Sequence, residues 1–385
     1  MEQLKGQFQT LFHASGTSFF SPGRVNLIGE HTDYNGGMVF PCAITYGTYA
    51  VASLRDDYEI HFYSNNFTEI GEIICHISDL HYDKADDWAN YAKGVVHFIQ
   101  EKGYTFPTGF NILIEGNIPN GAGLSSSASL EVLVGTVVND LYHFNIDMID
   151  IVKISQEAEN KFVGMNCGIM DQFIIGMGKK DCATALDTAT LNFTYAPVKL
   201  KDASIVIMNT CKRRGLADSK YNERRSECEA ALEELKTRVH IQNLCDLSVD
   251  EFEKVKDAIQ SEVRMRRAKH AISENERVKT AIEALEKDDL TTFGQLMNAS
   301  HISLRDDYEV TGIELDTLVA AAWKQPGVIG ARMTGAGFGG CAIAIVKNDA
   351  IEAFQDTVKK EYVEQIGYPC EFYIASIGDG AGKLA

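Results

Sequence analysis

The chain lacks the sequence signals of several protein classes. It has no CxxC pair, and its nine cysteines are spread from Cys42 to Cys370 without the spacing of zinc ligands. We therefore expect reduced thiols that pack as small apolar side chains. No stretch approaches the roughly 20 apolar residues of a membrane span, and the opening segment has neither the basic start nor the apolar core of a signal peptide. These absences favour a cytoplasmic protein without a membrane partner.

Positive charge is also scarce. The 385 residues include 36 Lys and Arg against 54 Asp and Glu, a formal net charge of −18. Such a chain has no general electrostatic attraction to nucleic acid, so we expect no nucleic-acid partner. An anionic ligand would need a local source of positive potential, such as a helix N-terminus or a metal ion. The length exceeds the roughly 250–300 residues that one core supports, which predicts two lobes.

The spacing of apolar residues predicts both helices and strands. Residues 17–20 are expected as a strand that leads into a polar loop, and residues 110–118 alternate like a half-buried strand. A helix is predicted over residues 148–162. A mostly helical region contains the charge run NERRSECEAALEELK, which is typical of a solvated helix face.

Three glycine-bearing segments carry the chemistry, and the first is residues 119–135, PNGAGLSSSASLEVLVG. A strand precedes it, Gly121 and Gly123 make a turn, and serines open a helix at Ser127. This arrangement presents unpaired N–H groups at the positive end of a helix, which favours phosphate binding. A serine hydroxyl there could also ligate Mg²⁺, although no Walker A motif occurs in the chain. The alternative is an ordinary helix capped by serine.

The second segment, residues 333–346, reads MTGAGFGGCAIAIV. Gly335, Gly337 and Gly340 match G-x-G-x-x-G, but an apolar strand follows instead of a helix, which excludes the Rossmann interpretation. A strand, glycine turn and strand could fold over phosphates. The chain has neither an H-R-D nor a D-F-G motif, so a protein kinase is not expected. The alternative is a hairpin whose glycines serve packing.

The third segment, residues 21–37, reads SPGRVNLIGEHTDYNGG. It gathers Arg24, Glu30, His31 and Asp33 among turn-forming residues. Carboxylates and an imidazole close together suit the recognition of several neutral hydroxyls. The alternative is a polar surface turn. Together the three segments predict a nucleotide-dependent kinase or ligase that acts on a sugar-like substrate.

All three segments resemble the motifs of the GHMP kinase family, and PGRVNLIGEHTDYN is similar to the signature of its galactokinase group. Further matches cover most of the chain: DWANYAKGV, GMNCGIMDQF, SKYNERR and SHISLRDDYEVTGIELD. The resemblance implies a two-lobed α+β fold with the active site in the cleft. The expected lobes are residues 1–198, similar to ribosomal S5 domain 2, and residues 199–385, which are ferredoxin-like.

The activity that the resemblance implies is transfer of the γ-phosphate of ATP to the anomeric hydroxyl of D-galactose, with Mg²⁺. This would give α-D-galactose 1-phosphate and ADP, the first phosphorylation of galactose catabolism. One alternative is another sugar 1-kinase of the same fold, acting for example on N-acetylgalactosamine. A second is a non-catalytic sensor of galactose and ATP, but the intact serine loop, Arg24 and Asp171 favour an active enzyme. The oligomeric state is left open, and a monomer is compatible with the sequence.

Site residues follow from the resemblance position by position. Asp171 in GIMDQF matches the base that contacts the anomeric hydroxyl, and Arg24 matches the arginine paired with it. The sugar pocket is expected to use Glu30, His31, Thr32, Asp33, Gly168, Asp171 and Tyr221. The phosphate loop is expected to use Gly121, Ala122, Gly123, Leu124, Ser125, Ser126 and Ser127.

The metal and adenine sites are carried over in the same way. Ser127 and Glu159 match the Mg²⁺ ligands, and Trp88 and Tyr91 match adenine-side aromatics with Ser64 near them. Without the resemblance, Glu159 would be interpreted as surface charge and the two aromatics as packed helix residues. Departures from the family pattern at Asn120 and Ala336 leave the sugar specificity open.

Overall fold

The computed structural model contains both helices and strands, and it describes residues 1–119, 123–212 and 217–384, with only the backbone at 217–219. In chain order the helices are α1 (Glu2–Phe12), α2 (Ala89–Glu101), α3 (Ser126–Leu141), α4 (Met148–Glu157), α5 (Met170–Met177), α6 (Ala217–Leu235), α7 (Val249–Val255), α8 (Glu262–Glu286), α9 (Leu290–Ser303), α10 (Gly312–Trp323) and α11 (Ile351–Ile366). The strands are β1 (Thr17–Asn26), β2 (Met38–Val39), β3 (Pro41–Leu54), β4 (Glu59–Ser64), β5 (Ile73–His76), β6 (Phe110–Gly116), β7 (Cys182–Asp187), β8 (Phe193–Pro197), β9 (Ala203–Asn209), β10 (Val328–Thr334), β11 (Cys341–Lys347), β12 (Glu371–Ala375) and β13 (Gly382–Lys383).

The first sheet has the strand order β13-β1-β3-β6-β4-β5 and is antiparallel except where β4 pairs with β6. Alternate side chains of its strands face opposite layers. Ala50 and Ala52 on β3 join the core under α2 and α3, whereas Val51 packs against Leu4 and Phe8 of α1. Because the sheet is covered on both faces, it is a rigid support for α3 and the loop before it.

The second sheet has the order β10-β11-β9-β12, with every neighbouring pair antiparallel. If β9, β10, β11 and β12 are numbered 1 to 4, the strand order is 2-3-1-4. Helices connect strand 1 to strand 2 and strand 3 to strand 4. This is the ferredoxin-like arrangement, and the predicted α+β, two-lobed fold is confirmed. A small third sheet has the order β2-β7-β8.

The two lobes share apolar core. Val25, inside the segment 21–37, and Phe40, just after it, belong to one cluster with Ile207 of β9 and Ile343 of β11. The last strand, β13, also returns to pair with β1. The proposed division between residues 198 and 199 therefore separates lobes that are packed together, and it stays a prediction. No helix in the described part of the chain is long and apolar enough to cross a membrane.

Several local predictions need correction. Strand β1 continues from Thr17 to Asn26, through the segment that was expected to be a loop from Ser21 onward, with a register shift between Pro22 and Gly23. A bulge accommodates the proline, which has no N–H to give to the ladder. The helix predicted over residues 148–162 ends as α-helix at Glu157 and continues as a π-helix at Ala158–Val163.

The charge run on α6 is also more than a solvated face. Arg224 is buried, and its guanidinium donates to the backbone oxygens of Tyr308, at 2.8 Å, and Glu309, at 3.3 Å. These carbonyls lie at the end of a second π-helical segment, Leu304–Tyr308. The charge pattern alone does not distinguish such a buried arginine from its exposed neighbours, because both occur at helical spacing.

Candidate active site

A cavity of about 270 Å³ lies where the three glycine-bearing segments meet. Predicted residues that line it are Arg24, Glu30, His31, Asp33, Tyr91, Gly123, Ser125, Ser126, Ser127, Glu159, Gly168, Asp171 and Tyr221. Gly121 and Ala122 lie outside the described residues. The hairpin between β10 and β11 contributes Gly335, Ala336 and Gly337 to the same wall. Segments more than 300 residues apart in sequence therefore share one cavity.

Arg24 and Asp171 form a bidentate ion pair in the cavity. Arg24 donates from Nε to Oδ1 at 2.9 Å and from Nη2 to Oδ2 at 2.8 Å, and its Nη1 donates to the Gly123 carbonyl at 2.6 Å. The arginine side chain is 5% exposed and the aspartate 29% exposed. The carboxylate is thus fixed in orientation by β1 but still open to a ligand. A bidentate guanidinium contact fixes the plane of the carboxylate as well as its position.

The serine loop approaches this pair from the N-terminus of α3. Ser125 is the N-cap residue, yet its left-handed backbone, with φ 63°, leaves it without a capping hydrogen bond. Its hydroxyl donates instead to Oδ2 of Asp171. Leu124 is buried in the core, and its carbonyl accepts from Arg24 N at 3.2 Å. The loop is therefore anchored to β1, and the first N–H groups of α3 have no intrahelical acceptor.

Glu159 lies opposite Ser127 on the π-helical segment. The Ser127 hydroxyl donates to Oε1 at 3.0 Å, while Gln172 Nε2 donates to Oε2 at 2.6 Å and also to Glu131 Oε2 at 3.1 Å. Burial raises the pKa of Glu159, and the negative charge of Asp171 raises it further. Burial likewise raises the pKa of Glu131, and there the charge of Glu159 adds to the effect. A carboxylate in such an acidic, buried place gains stability from a cation.

Glu30 is fully buried and lines the cavity. Its Oε1 accepts from the backbone N–H of Gly335 at 2.5 Å, and its Oε2 accepts from Asn26 Nδ2. Burial raises the pKa of Glu30, whereas the guanidinium groups of Arg332 and Arg24 lower it. The carboxylate is thus held between β1 and the glycine turn after β10.

His31 has a left-handed backbone, with φ 62°, and both of its ring nitrogens have protein partners. Nε2 donates to the Ala336 carbonyl at 3.1 Å, so Nδ1 accepts from the Tyr34 hydroxyl at 2.7 Å. Tyr34 in turn accepts from Tyr308 at 2.8 Å, which leaves Tyr308 to accept from Cys228 at 3.1 Å. Burial lowers the pKa of His31 to about 3. The imidazole ring is therefore neutral, as this series of hydrogen bonds requires.

Asp33 lies against Gly168. A Cβ on Gly168 would come within 1.8 Å of Asp33 Oδ2, so no larger residue fits there. Burial and the charge of Asp171 raise the pKa of Asp33 to about 6. Thr32, by contrast, is buried beneath the loop, where its hydroxyl bonds to the carbonyls of Gly29 and Met38, and it is not among the cavity-lining residues.

Of the three aromatic residues expected at the site, Tyr221 and Tyr91 line the cavity and Trp88 does not. The ring of Tyr221 lines the cavity 5.5 Å from the ring of His31. Tyr91 also lines it. Trp88 instead lies in the core, with its ring 6.3 Å from that of Phe62 and stacked at 6.4 Å on that of Phe67, and its buried indole N–H has no hydrogen-bond partner among the described residues. Ser64, at the end of β4, is buried and accepts from the Asn66 N–H at 3.2 Å.

Some cavity residues were not predicted from the sequence. Met165 and Cys167 line the wall beside Gly168, and no spacing rule singles them out. Gly335 and Ala336 belong to a motif that was assigned to phosphates, yet they contact Glu30 and His31. A Cβ on Gly335 would lie 2.8 Å from the Gly123 carbonyl and 3.3 Å from Arg24 Nη2. This glycine therefore allows the hairpin to close on the arginine.

Comparisons with known proteins agree with this geometry. Residues 6–54 match the family model for the galactokinase galactose-binding signature, residues 90–179 the GHMP kinase N-terminal domain and residues 281–364 the GHMP kinase C-terminal domain. The chain is 59% identical over 382 residues to a galactokinase from Clostridium beijerinckii, covering 99% of this chain and 98% of that protein. It is 57% identical over 387 residues to a galactokinase from Fusobacterium nucleatum, covering 100% of both.

Solved structures give the same result. The crystal structure of Lactococcus lactis galactokinase complexed with galactose matches with a TM-score of 0.98 at 50% identity, covering 100% of this chain and 99% of that one. Methanococcus jannaschii mevalonate kinase matches with a TM-score of 0.68 at 18% identity, covering 95% of this chain and 99% of that one. The second match is a likeness of fold.

Proposed function

This chain belongs to the galactokinases of the GHMP kinase family, and we propose that the cavity between its three glycine-bearing segments is the active site. The protein is an ATP-dependent sugar kinase. It transfers the γ-phosphate of ATP to the anomeric hydroxyl of D-galactose and releases α-D-galactose 1-phosphate and ADP. The observation that carries the assignment of residues is the bidentate pair of Arg24 and Asp171.

Asp171 takes the proton of the anomeric hydroxyl. Its carboxylate is open to the cavity and is oriented by Arg24, which fixes both oxygens. The sugar oxygen then attacks the γ-phosphorus, the bond to the bridging oxygen of ADP breaks, and the proton stays with the carboxylate. Catalysis of this kind rests on positioning and on electrostatic stabilisation of the transferring phosphoryl group. Arg24 supplies positive charge at that place.

The other pocket residues hold the two substrates. Glu30, Asp33, Gly168 and Tyr221 line the sugar side, and His31 shapes it through Tyr34 and Ala336. The triphosphate lies along Gly123 and the serine loop, where N–H groups at the start of α3 favour anions. The adenine lies on the side of Tyr91, whereas Trp88 and Ser64 are not among the cavity-lining residues.

The residues near the phosphate loop fit Mg²⁺. Ser127 and Glu159 offer a hydroxyl and a carboxylate oxygen 3.0 Å apart, and Gln172 holds the second carboxylate oxygen away from them. Mg²⁺ prefers such hard oxygen ligands and usually takes one or two from protein and the rest from phosphates and water. The described part of the chain has no group of three or more His, Cys, Asp and Glu side chains that could hold a metal. Phosphate and water oxygens would therefore have to supply most of the ligands. When bound, the ion would neutralise charge on the phosphates.

We also propose that the enzyme works in the cytoplasm. The nine cysteines all lie in the described part of the chain and none forms a disulfide bond there, and burial raises the pKa of Cys42, Cys75 and Cys245, which keeps these thiols protonated. So many cysteines without a disulfide bond suit a reducing compartment.

A sugar panel tests the proposed activity. ATP consumption with Mg²⁺ is measured against D-galactose, N-acetylgalactosamine, D-glucose and L-arabinose, with ³¹P NMR to identify the phosphate ester. We expect strong turnover with D-galactose and an anomeric phosphate as the product. Preferred turnover of N-acetylgalactosamine would assign a different substrate. Saturable galactose binding without any turnover would instead indicate a sensor.

A further inference from the structure

Arg332 is a fully buried arginine on β10, outside the cavity wall. Its Nη1 donates to the Asn26 carbonyl at 3.0 Å and lies 3.4 Å from Glu30 Oε1. Its Nε donates to the Ser300 hydroxyl at 3.2 Å. An arginine without any exposure needs charge partners, since an unpaired buried cation is costly. Glu30, a residue of the proposed sugar pocket, is one of these partners.

Glu274 on α8 is the other charge partner. Its Oε1 lies 3.9 Å from Arg332 Nη2 and accepts from the backbone N–H of Gly29 at 2.9 Å and from Ser300 at 2.5 Å. Its Oε2 accepts from Arg277 Nε at 2.7 Å. These cations and hydrogen bonds hold the pKa of Glu274 at about 2 despite its burial. Glu274 is therefore a fixed anion that orients Arg332 and also holds the residue immediately before Glu30.

The contacts of Glu30 explain why this support matters. Its two carboxylate oxygens are each held by one neutral donor, Gly335 N and Asn26 Nδ2. Full burial works against the charged form, and Arg332 is the strongest of the influences that favour it. A carboxylate that stayed protonated, or that rotated, would accept hydroxyl protons poorly. Asn26 is also held by Arg332, since the backbone carbonyl of Asn26 accepts a hydrogen bond from the guanidinium.

We propose that Arg332, oriented by Glu274, is a positioning residue for galactose recognition: its guanidinium lies against Glu30 Oε1 and holds that carboxylate in the position from which it accepts a galactose hydroxyl. The inference rests on the proposed function, because it assumes that Glu30 accepts a galactose hydroxyl. It assigns part of the sugar specificity to a strand and a helix of the C-terminal lobe that do not line the cavity. Neither residue touches the transferring phosphoryl group.

The test is a double-mutant cycle read by galactose affinity. Galactose Kd is measured by calorimetry without nucleotide for the wild type, Glu30→Gln, Arg332→Met and the double variant. We expect each single variant to weaken galactose about 10- to 100-fold, as for loss of a hydrogen bond to a charged group. The double variant should be little weaker than either single one, because both act through the same carboxylate. Additive losses would overturn the proposal.

A conservative variant and a matched control keep the test informative. Arg332→Lys retains the charge but not the several donors of a guanidinium, and serves if Arg332→Met does not fold. Arg267→Met removes another buried arginine of the same lobe, one whose partners are Glu227, Glu309 and the Asp307 carbonyl. The control should lower the Tm without changing galactose Kd. Equal effects of Arg267→Met and Arg332→Lys on galactose Kd would mean that the role of Arg332 is only structural.

Monodeoxygalactoses separate failure of this inference from failure of the proposed function. In the wild type, loss of the hydroxyl that Glu30 accepts should weaken binding, and Glu30→Gln identifies that hydroxyl because the penalty shrinks. Arg332→Lys should shrink the penalty for the same hydroxyl and for no other. A different pattern would overturn the inference, whereas a wild-type protein that does not bind galactose would overturn the proposed function itself.

Discussion

Arg24 on β1 and Asp171 at the start of α5 are 147 residues apart in sequence, and their side chains meet in two parallel hydrogen bonds of 2.9 and 2.8 Å. The third arginine donor reaches the Gly123 carbonyl of the phosphate loop at 2.6 Å. One guanidinium therefore connects the proposed base to the loop that is proposed to bind ATP. The rate of phosphoryl transfer should therefore depend on this forked set of hydrogen bonds from the guanidinium and not on positive charge alone.

Arg24→Lys is expected to lower kcat by about 10²-fold while the protein stays folded, because an ammonium cannot make the bidentate contact and reach Gly123 as well. The matched control is Arg55→Lys, which removes a similar fork to Asp57 far from the cavity lining. Steady-state kinetics and thermal melts of both variants provide the measurement. A near-wild-type kcat for Arg24→Lys would exclude a catalytic role for the fork.

Gly335→Ala should damage both stability and turnover. Its φ of 81° is unfavourable for alanine, and the new Cβ would lie 2.8 Å from the Gly123 carbonyl and 3.3 Å from Arg24 Nη2. We expect a loss of about 1–3 kcal/mol in the free energy of unfolding and a fall in kcat of at least about tenfold. Gly367→Ala is the control, since its φ of 91° is similar but no atom of the described residues would lie within 4 Å of its new Cβ. If both variants lost kcat equally, contact with the arginine would not be the cause.

Asp33→Asn should stabilise the fold at neutral pH and weaken galactose binding. The folded-state pKa of Asp33 is raised from 3.8 to about 6, so the folded protein binds more protons than the unfolded chain between about pH 4 and 6. Stability therefore falls as pH rises through this window, and the cost is fully present above about pH 6. The asparagine variant should gain about 1–3 kcal/mol at pH 8 and little at pH 4. Denaturant unfolding at both pH values measures this, and a gain that is equal at both would contradict the pKa shift.

Glu159→Gln is expected to weaken Mg²⁺-dependent nucleotide binding by about 10-fold or more, because it removes the carboxylate charge beside Ser127. Calorimetry with an ATP analogue, with and without Mg²⁺, measures the effect separately from turnover. Binding without Mg²⁺ should be unchanged or stronger, as a negative charge is lost. Glu157→Gln is the control, since that residue pairs with Lys102 and Lys161 on the surface. Unchanged Mg²⁺ dependence in Glu159→Gln would remove Glu159 from the proposed ligands.

The sequence allowed the family, the fold class and the activity to be predicted, because the three glycine-bearing motifs are local and specific. Local patterns could not place Arg24 on a strand, since Pro22 and Gly23 are typical of turns and the bulge that accepts them depends on pairing with β3. The sequence also could not predict that Arg332 lies against Glu30 or that the ring of Tyr308 packs beside that of His31. These partners lie near 300 residues away in sequence, and nothing in their own neighbourhoods marks them as buried.

The role of Asp171 is tested most directly by separating binding from transfer in Asp171→Asn. Galactose Kd is measured by calorimetry, and phosphoryl transfer by single-turnover kinetics with ATP and Mg²⁺. We expect a loss of transfer rate of about 10²–10⁴-fold or more, with galactose affinity only modestly weaker, because the asparagine keeps the shape of the side chain but cannot take the proton. A variant that transfers phosphate at near the wild-type rate would show that Asp171 is not the base.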